Sequence, residues 1–185
     1  MTGPGTGQAT QAGAQVGTQV AVTVIGPDRP GIIADVTGAL AGAGVNLEDS
    51  TMTLLRGHFA MMLVGTGAGL AEVERAVAPL AGELVVTVRE VGPETSPAPV
   101  GPAYLLSVHG ADRPGIVSAI TRVVAAAGGN ITDLSTRLSG TLYVLTAEVD
   151  LPATADPDQV RRALDATATG LGVGVTLVAA ETDEL

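Results

Sequence analysis

Two identical five-residue strings hold the groups most able to do chemistry: Asp28-Arg29-Pro30-Gly31-Ile32 and Asp112-Arg113-Pro114-Gly115-Ile116. Each sets a carboxylate ahead of a proline and a glycine, with proline expected in the first turn of a helix. A helix N-terminus presents unpaired N–H groups and the positive end of a dipole, which suits a ligand carboxylate. Glycine at 31 and 115 lets a ligand approach the backbone closely. A second reading fits equally: Asp28 and Asp112 as caps that accept local N–H bonds. Sixteen residues after each proline stands an asparagine, Asn46 and Asn130. Its amide offers a donor and an acceptor at once, which suits the zwitterionic head of an amino acid. The same residue also fits a left-handed turn.

Other chemistry finds little support. There is no Ser-His-Asp spacing, Gly-x-Ser-x-Gly elbow, phosphate loop or dinucleotide fingerprint. His58 and His109 have no carboxylates clustered around them, so no metal site is expected. Glu48, Asp49 and Asp133 read as solvated strand-edge residues. Without cysteine, the chain forms no disulfide, thiolate nucleophile or cysteine-ligated metal site. The expectation is a protein without catalysis, metal or cofactor.

The two strings belong to a longer repeat. A shift of 84 residues maps Asp28–Asp49 onto Asp112–Asp133 with 11 identities in 22 ungapped positions. His58 and His109 do not correspond under that shift. The chain is a duplication.

Each copy must then position its own string. Val20–Ile25 and Tyr104–Val108 are short, β-branched-rich runs that predict strands. After each string, Ile32, Ile33, Val36, Leu40 and Ala43 (and Ile116, Val117, Ile120, Val124 and Ala127) mark the buried stripe of a helix. Gly44 and Gly128 are placed to stop these helices. Hairpins follow, about Val45–Leu55 with His58–Gly65 and Ile131–Leu138 with Thr141–Val149. A second helix is expected near Leu70–Leu80 and Asp156–Ala168, with Pro79 at a frayed end. Last strands are expected at Leu84–Val91 and Val173–Ala179. The fold class is α+β: two tandem ferredoxin-like βαββαβ units, each a four-stranded antiparallel sheet with two helices on one face.

The organisation this predicts is a disordered tail over 1–19, a first domain over 20–92, a proline-rich linker over 93–102, a second domain over 103–181 and a short tail over 182–185. The net charge of −10, the absence of lysine and only three aromatic residues argue against direct nucleic-acid binding. No apolar run reaches the ~20 residues that span a bilayer, and residues 1–19 do not read as a signal peptide. A soluble cytoplasmic protein is expected.

A strand, Asp-Arg-Pro-Gly-Ile, an amphipathic helix and then Gly-x-Asn, here Gly44-Val45-Asn46 and Gly128-Gly129-Asn130, resembles the ACT family. The stand-alone tandem arrangement is similar to the glycine cleavage system transcriptional repressor family. That resemblance implies a metabolite-sensing regulator that binds a small amino acid and acts through a protein partner, an enzyme or a DNA-binding regulator. On this reading the ligand-binding residues are Asp28, Gly31, Ile32 and Asn46, with Asp112, Gly115, Ile116 and Asn130. Edge strands and exposed helices in such small units tend to be covered, so the chain is expected to form a homodimer. The rival readings are a detached regulatory subunit of an amino-acid-metabolising enzyme and an assembly module without a ligand. The serine-sensing ACT domain of the serine-biosynthetic dehydrogenase carries a His four residues before the proline and an Asn two before it. Here those places hold Gly26 and Gly110, then Asp28 and Asp112; the retained Asn46 and Asn130 support a ligand, and the missing His counts against serine.

Overall fold

A computed structural model describes residues 18–92 and 100–180. The predicted N-terminal tail up to residue 17, the linker over 93–99 and the last five residues lie outside the described residues. The chain divides into two units, and each is described by itself.

In the first unit the order is β1 (Gln19–Pro27), α1 (Ile32–Gly42), β2 (Asn46–Leu55), β3 (His58–Thr66), α2 (Leu70–Val77) and β4 (Val85–Val91), with a short 3-10 turn at Ala78–Leu80. The second repeats it as β5 (Val100–Ala111), α3 (Ile116–Ala126), β6 (Asn130–Ser139), β7 (Leu142–Pro152), α4 (Pro157–Leu171) and β8 (Val173–Ala179). The sheets run β2-β3-β1-β4 and β6-β7-β5-β8, antiparallel throughout. Two helices cover one face of each, the expected ferredoxin-like architecture.

Alternation selects the buried face. Val20, Val22 and Val24 of β1 and Phe59, Met61 and Leu63 of β3 point into the core, where Ile32, Val36 and Leu40 of α1 meet them. Leu106 and Val108 play the same part with Ile116, Ile120 and Val124 in the second unit. Of the expected helix stripe, Ile33 and Val117 turn outward. Each is one position past a buried isoleucine, about 100° round the helix. Gly44 (φ 82°) and Gly128 (φ 73°) follow the helix ends in the left-handed conformation that glycine adopts readily. Pro79 sits in the 3-10 turn, where the α-helical ladder has already ended.

Three local expectations need correction. Pro30 and Pro114 precede the first helical turn, because Gly31 and Gly115, both at φ 91°, are the N-caps. Neither cap receives a side-chain bond, so Asp28 and Asp112 are not helix caps. The linker also ends sooner than expected: Val100 already pairs with Pro152 as β5 begins, and a register shift separates that pair from Ala103–Asp150.

Candidate functional site

The repeated string is the turn from β1 into α1, and from β5 into α3. Asp28 follows the end of β1, where its N–H donates to the Gly57 carbonyl at 3.0 Å and ties the loop to the β2–β3 turn. Its carboxylate and that of Asp112 are exposed and accept no hydrogen bond among the described residues. The first helical bonds run from Asp35 N–H to Gly31 and from Ala119 N–H to Gly115, both at 2.9 Å. The donors just ahead of them, at Ile32 to Ala34 and Ile116 to Ser118, have no intrahelical acceptor. Ile32 and Ile116 are each 2% exposed, so they can offer a ligand only backbone N–H, their side chains being spent on the core.

The asparagines are elsewhere. Asn46 pairs in register with Thr66, which also pairs with Gln19, the first residue of β1. Asp28 lies beyond Pro27, at the other end of that nine-residue strand. At ~3.3 Å per residue the two positions are about 30 Å apart along the strand, and α1 covers ~16 Å of the return. Asn130, level with Asp150 and Ala103, stands in the same relation to Asp112. Within one unit, Asn46 or Asn130 therefore cannot share a small ligand with the aspartate. This corrects the expectation that one small amino acid touches both.

Arginine distinguishes the two loops. Arg29 Nη1 lies 2.9 Å from Asp35 Oδ2, Nε donates to Glu83 Oε2 at 3.0 Å, and Nη1 also donates to the Pro30 carbonyl at 3.4 Å. The bond to Asp35 first, and then that to Glu83, raises its pKa further above the ordinary arginine value. In the second loop the 84-residue shift puts Ala119 where Asp35 stands. The place of Glu83 falls to Gly172. A Cβ on Gly26 would meet Leu84 Cδ2 at 2.6 Å and one on Gly110 would meet Val173 Cγ1 at 2.7 Å, so Leu84 and Val173 are equivalent. Glu83 and Gly172 are the residues just before them. Arg113 has no ion-pair partner among the described residues; its guanidinium rests against Gly172 at the C-terminal end of α4. Arg113 is not among the site residues expected from the sequence, although the replacement of Asp35 by Ala119 is a visible signal of it.

Among the described residues no three His, Asp or Glu side chains gather into a metal-binding group. No helix among the described residues is long and apolar enough to cross a membrane.

Fold, repeat and duplicated loop together define a tandem pair of small α+β modules of the regulatory-domain type. The chain belongs to the ACT domain family, which it matches over residues 18–90 and 103–178. It is 28% identical over 159 residues to the glycine cleavage system transcriptional repressor of Escherichia coli, covering 81% of this chain and 84% of that one. A crystal structure of an unknown protein from Galdieria sulphuraria is similar with a TM-score of 0.75 and 30% identity, over 89% of this chain and 99% of that one. Another, provisionally named a glycine cleavage system transcriptional repressor, shares the fold with a TM-score of 0.69 at 20% identity, over 90% and 99%.

Proposed function

We propose that this chain is a non-enzymatic metabolite sensor that binds a small amino acid and controls amino-acid metabolism through a protein partner. The observation that carries the reading is the duplicated loop, an exposed, unpartnered carboxylate beside free helix N–H donors. The ligand carboxylate takes the N–H groups that follow Gly31 or Gly115, where dipole and donors coincide. Its ammonium faces Asp28 or Asp112, since the reverse orientation would set two carboxylates together. In the second loop Arg113 adds a cation for the ligand carboxylate that Arg29, already held by Asp35 and Glu83, does not offer. Asn46 and Asn130 stand outside this contact within their own units.

The name of the Escherichia coli relative supports control of transcription as the output. The net charge of −10 favours an indirect route, through a protein partner rather than through DNA. The protein works in the cytoplasm as a homodimer, without catalysis, metal or cofactor.

A thermal-shift screen of the common amino acids, followed by calorimetry, tests the reading, because a ligand of the native state raises stability by mass action. Asp28→Asn and Asp112→Asn each weaken one site, and the double variant loses binding with the fold intact. A double variant that binds as tightly as the parent overturns it.

A further inference from the structure

The first sheet turns one face to its helices and leaves the other open, with apolar side chains in solvent. Ile25 is 48% exposed, Met62 46% and Val85 69%. Register orders this open face into rows. In one row Asp49, Val64, Ala21 and Arg89 stand side by side across β2, β3, β1 and β4. Opposite charges thus lie at opposite edges of the sheet, and neither has an ion-pair partner among the described residues. Four residues along the strands a second row reads Thr53, Ala60, Ile25, Val85.

We infer that this open face docks against the same face of a second copy of the chain, about a two-fold axis running along the strands between β3 and β1. The inference rests on the homodimer proposed above and names the surface that forms it. Such an axis exchanges β2 with β4 and β3 with β1, so Asp49 faces Arg89 of the second copy, twice over. Size matches as charge does. Val64 faces Ala21, Met62 faces Thr23, Ile25 faces Ala60 and Val85 faces Thr53, a larger side chain over a smaller one each time. A depression of about 270 Å³ beside Asp49, bordered by Thr51, Met62 and Val64, leaves room for the arriving arginine. Sheets packed this way keep their strands nearly aligned, ~10 Å apart. Four strands ~4.8 Å apart and about nine residues long present ~570 Å² in projection, and more once side-chain relief is counted. A standard interface takes ~800 Å² from each partner.

Light scattering on the full chain after size exclusion, at micromolar concentration, reads the outcome. The parent is expected to run as a dimer. Asp49→Arg alone and Arg89→Asp alone each set like charges face to face and raise the dissociation constant roughly tenfold or more. Mixing the two variants restores a dimer with one chain of each, because both facing pairs are then opposite in sign. Asp133→Arg, at the matching place in the other sheet, leaves the parent mass unchanged. Circular dichroism confirms folding, and Val85→Glu gives a second disruption that is also expected to dissociate the dimer. A dimeric parent whose single variants and Val85→Glu keep its mass, or whose mixed variants do not associate, overturns this face alone. A monomeric parent overturns the homodimer with it.

Discussion

Arg29 Nε lies 3.0 Å from Glu83 Oε2, a residue 54 positions away, and the corresponding place opposite Arg113 holds Gly172. One loop of the duplication is thus pinned and neutralised by carboxylates, while the other keeps its guanidinium. The two copies keep the string but differ at both partner positions, which makes two electrostatically different loops from one motif.

The pinned loop responds to salt. Arg29→Gln removes an exposed two-carboxylate contact of the kind that screening weakens. A slightly lower Tm than the parent is expected at low ionic strength, with the difference vanishing at high ionic strength. Arg113→Gln loses no such pair, only the weaker attraction of a cation to the C-terminal end of α4, and its Tm difference from the parent depends less on salt. Thermal melts of both variants across a salt series check this.

Ligand affinity separates the loops in the opposite sense. Arg113→Ala is expected to weaken amino-acid binding at the second loop by about tenfold to a hundredfold, the size of one charged hydrogen bond of ~1.5–3 kcal/mol. Arg29→Ala changes binding at the first loop far less. Calorimetry in the Asp28→Asn and Asp112→Asn backgrounds, which leave one loop each, makes the comparison.

Glycines divide by what surrounds them. A Cβ on Gly65 would stand 2.5 Å from the Asn46 carbonyl oxygen, where β3 meets the start of β2. Gly65→Ala is expected to destabilise by about 1–3 kcal/mol, as overpacking does. Gly38 in α1 and Gly170 in α4 have nothing within 4 Å of the added atom. Gly38→Ala and Gly170→Ala should each stabilise by roughly 0.5–1 kcal/mol through helix propensity. Urea titrations give the signs.

Neighbouring positions on the helix stripe also part company. Leu40, fully buried in the first core, is expected to lose about 2–5 kcal/mol on Leu40→Ala. Ile33→Ala, on the outward side of the same helix, should stay within about 0.5 kcal/mol of the parent. Denaturant midpoints with unchanged slopes would show that stability alone has moved.

Much of the first unit could be read from residues close together in the chain. Alternation in Val20–Val24, the spacing of Ile32, Val36 and Leu40, and a helix stopped at Gly44 are local patterns, and the structure contains all three. The 84-residue shift carried each of them into the second unit, where β5 to β8 follow the same order. Local patterns do not record which side chains meet across the fold. Asp28 and Asn46 are 18 residues apart in sequence, yet the helix between them returns the chain to the far end of the sheet and separates them.

Arg29 and Glu83 are far apart in sequence, yet the antiparallel pairing of β1 with β4 brings the loop after one strand to the loop before the other. The sequence by itself determined the repeat, the element order and the buried faces, because turn chemistry and hydrophobic periodicity act over a few residues. Only tertiary structure decided that Arg29 is ion-paired while Arg113 has no ion-pair partner among the described residues, that each asparagine lies away from its aspartate, and that Asp49 and Arg89 share a row. Those facts follow from strand order and register, which form through contacts between distant segments.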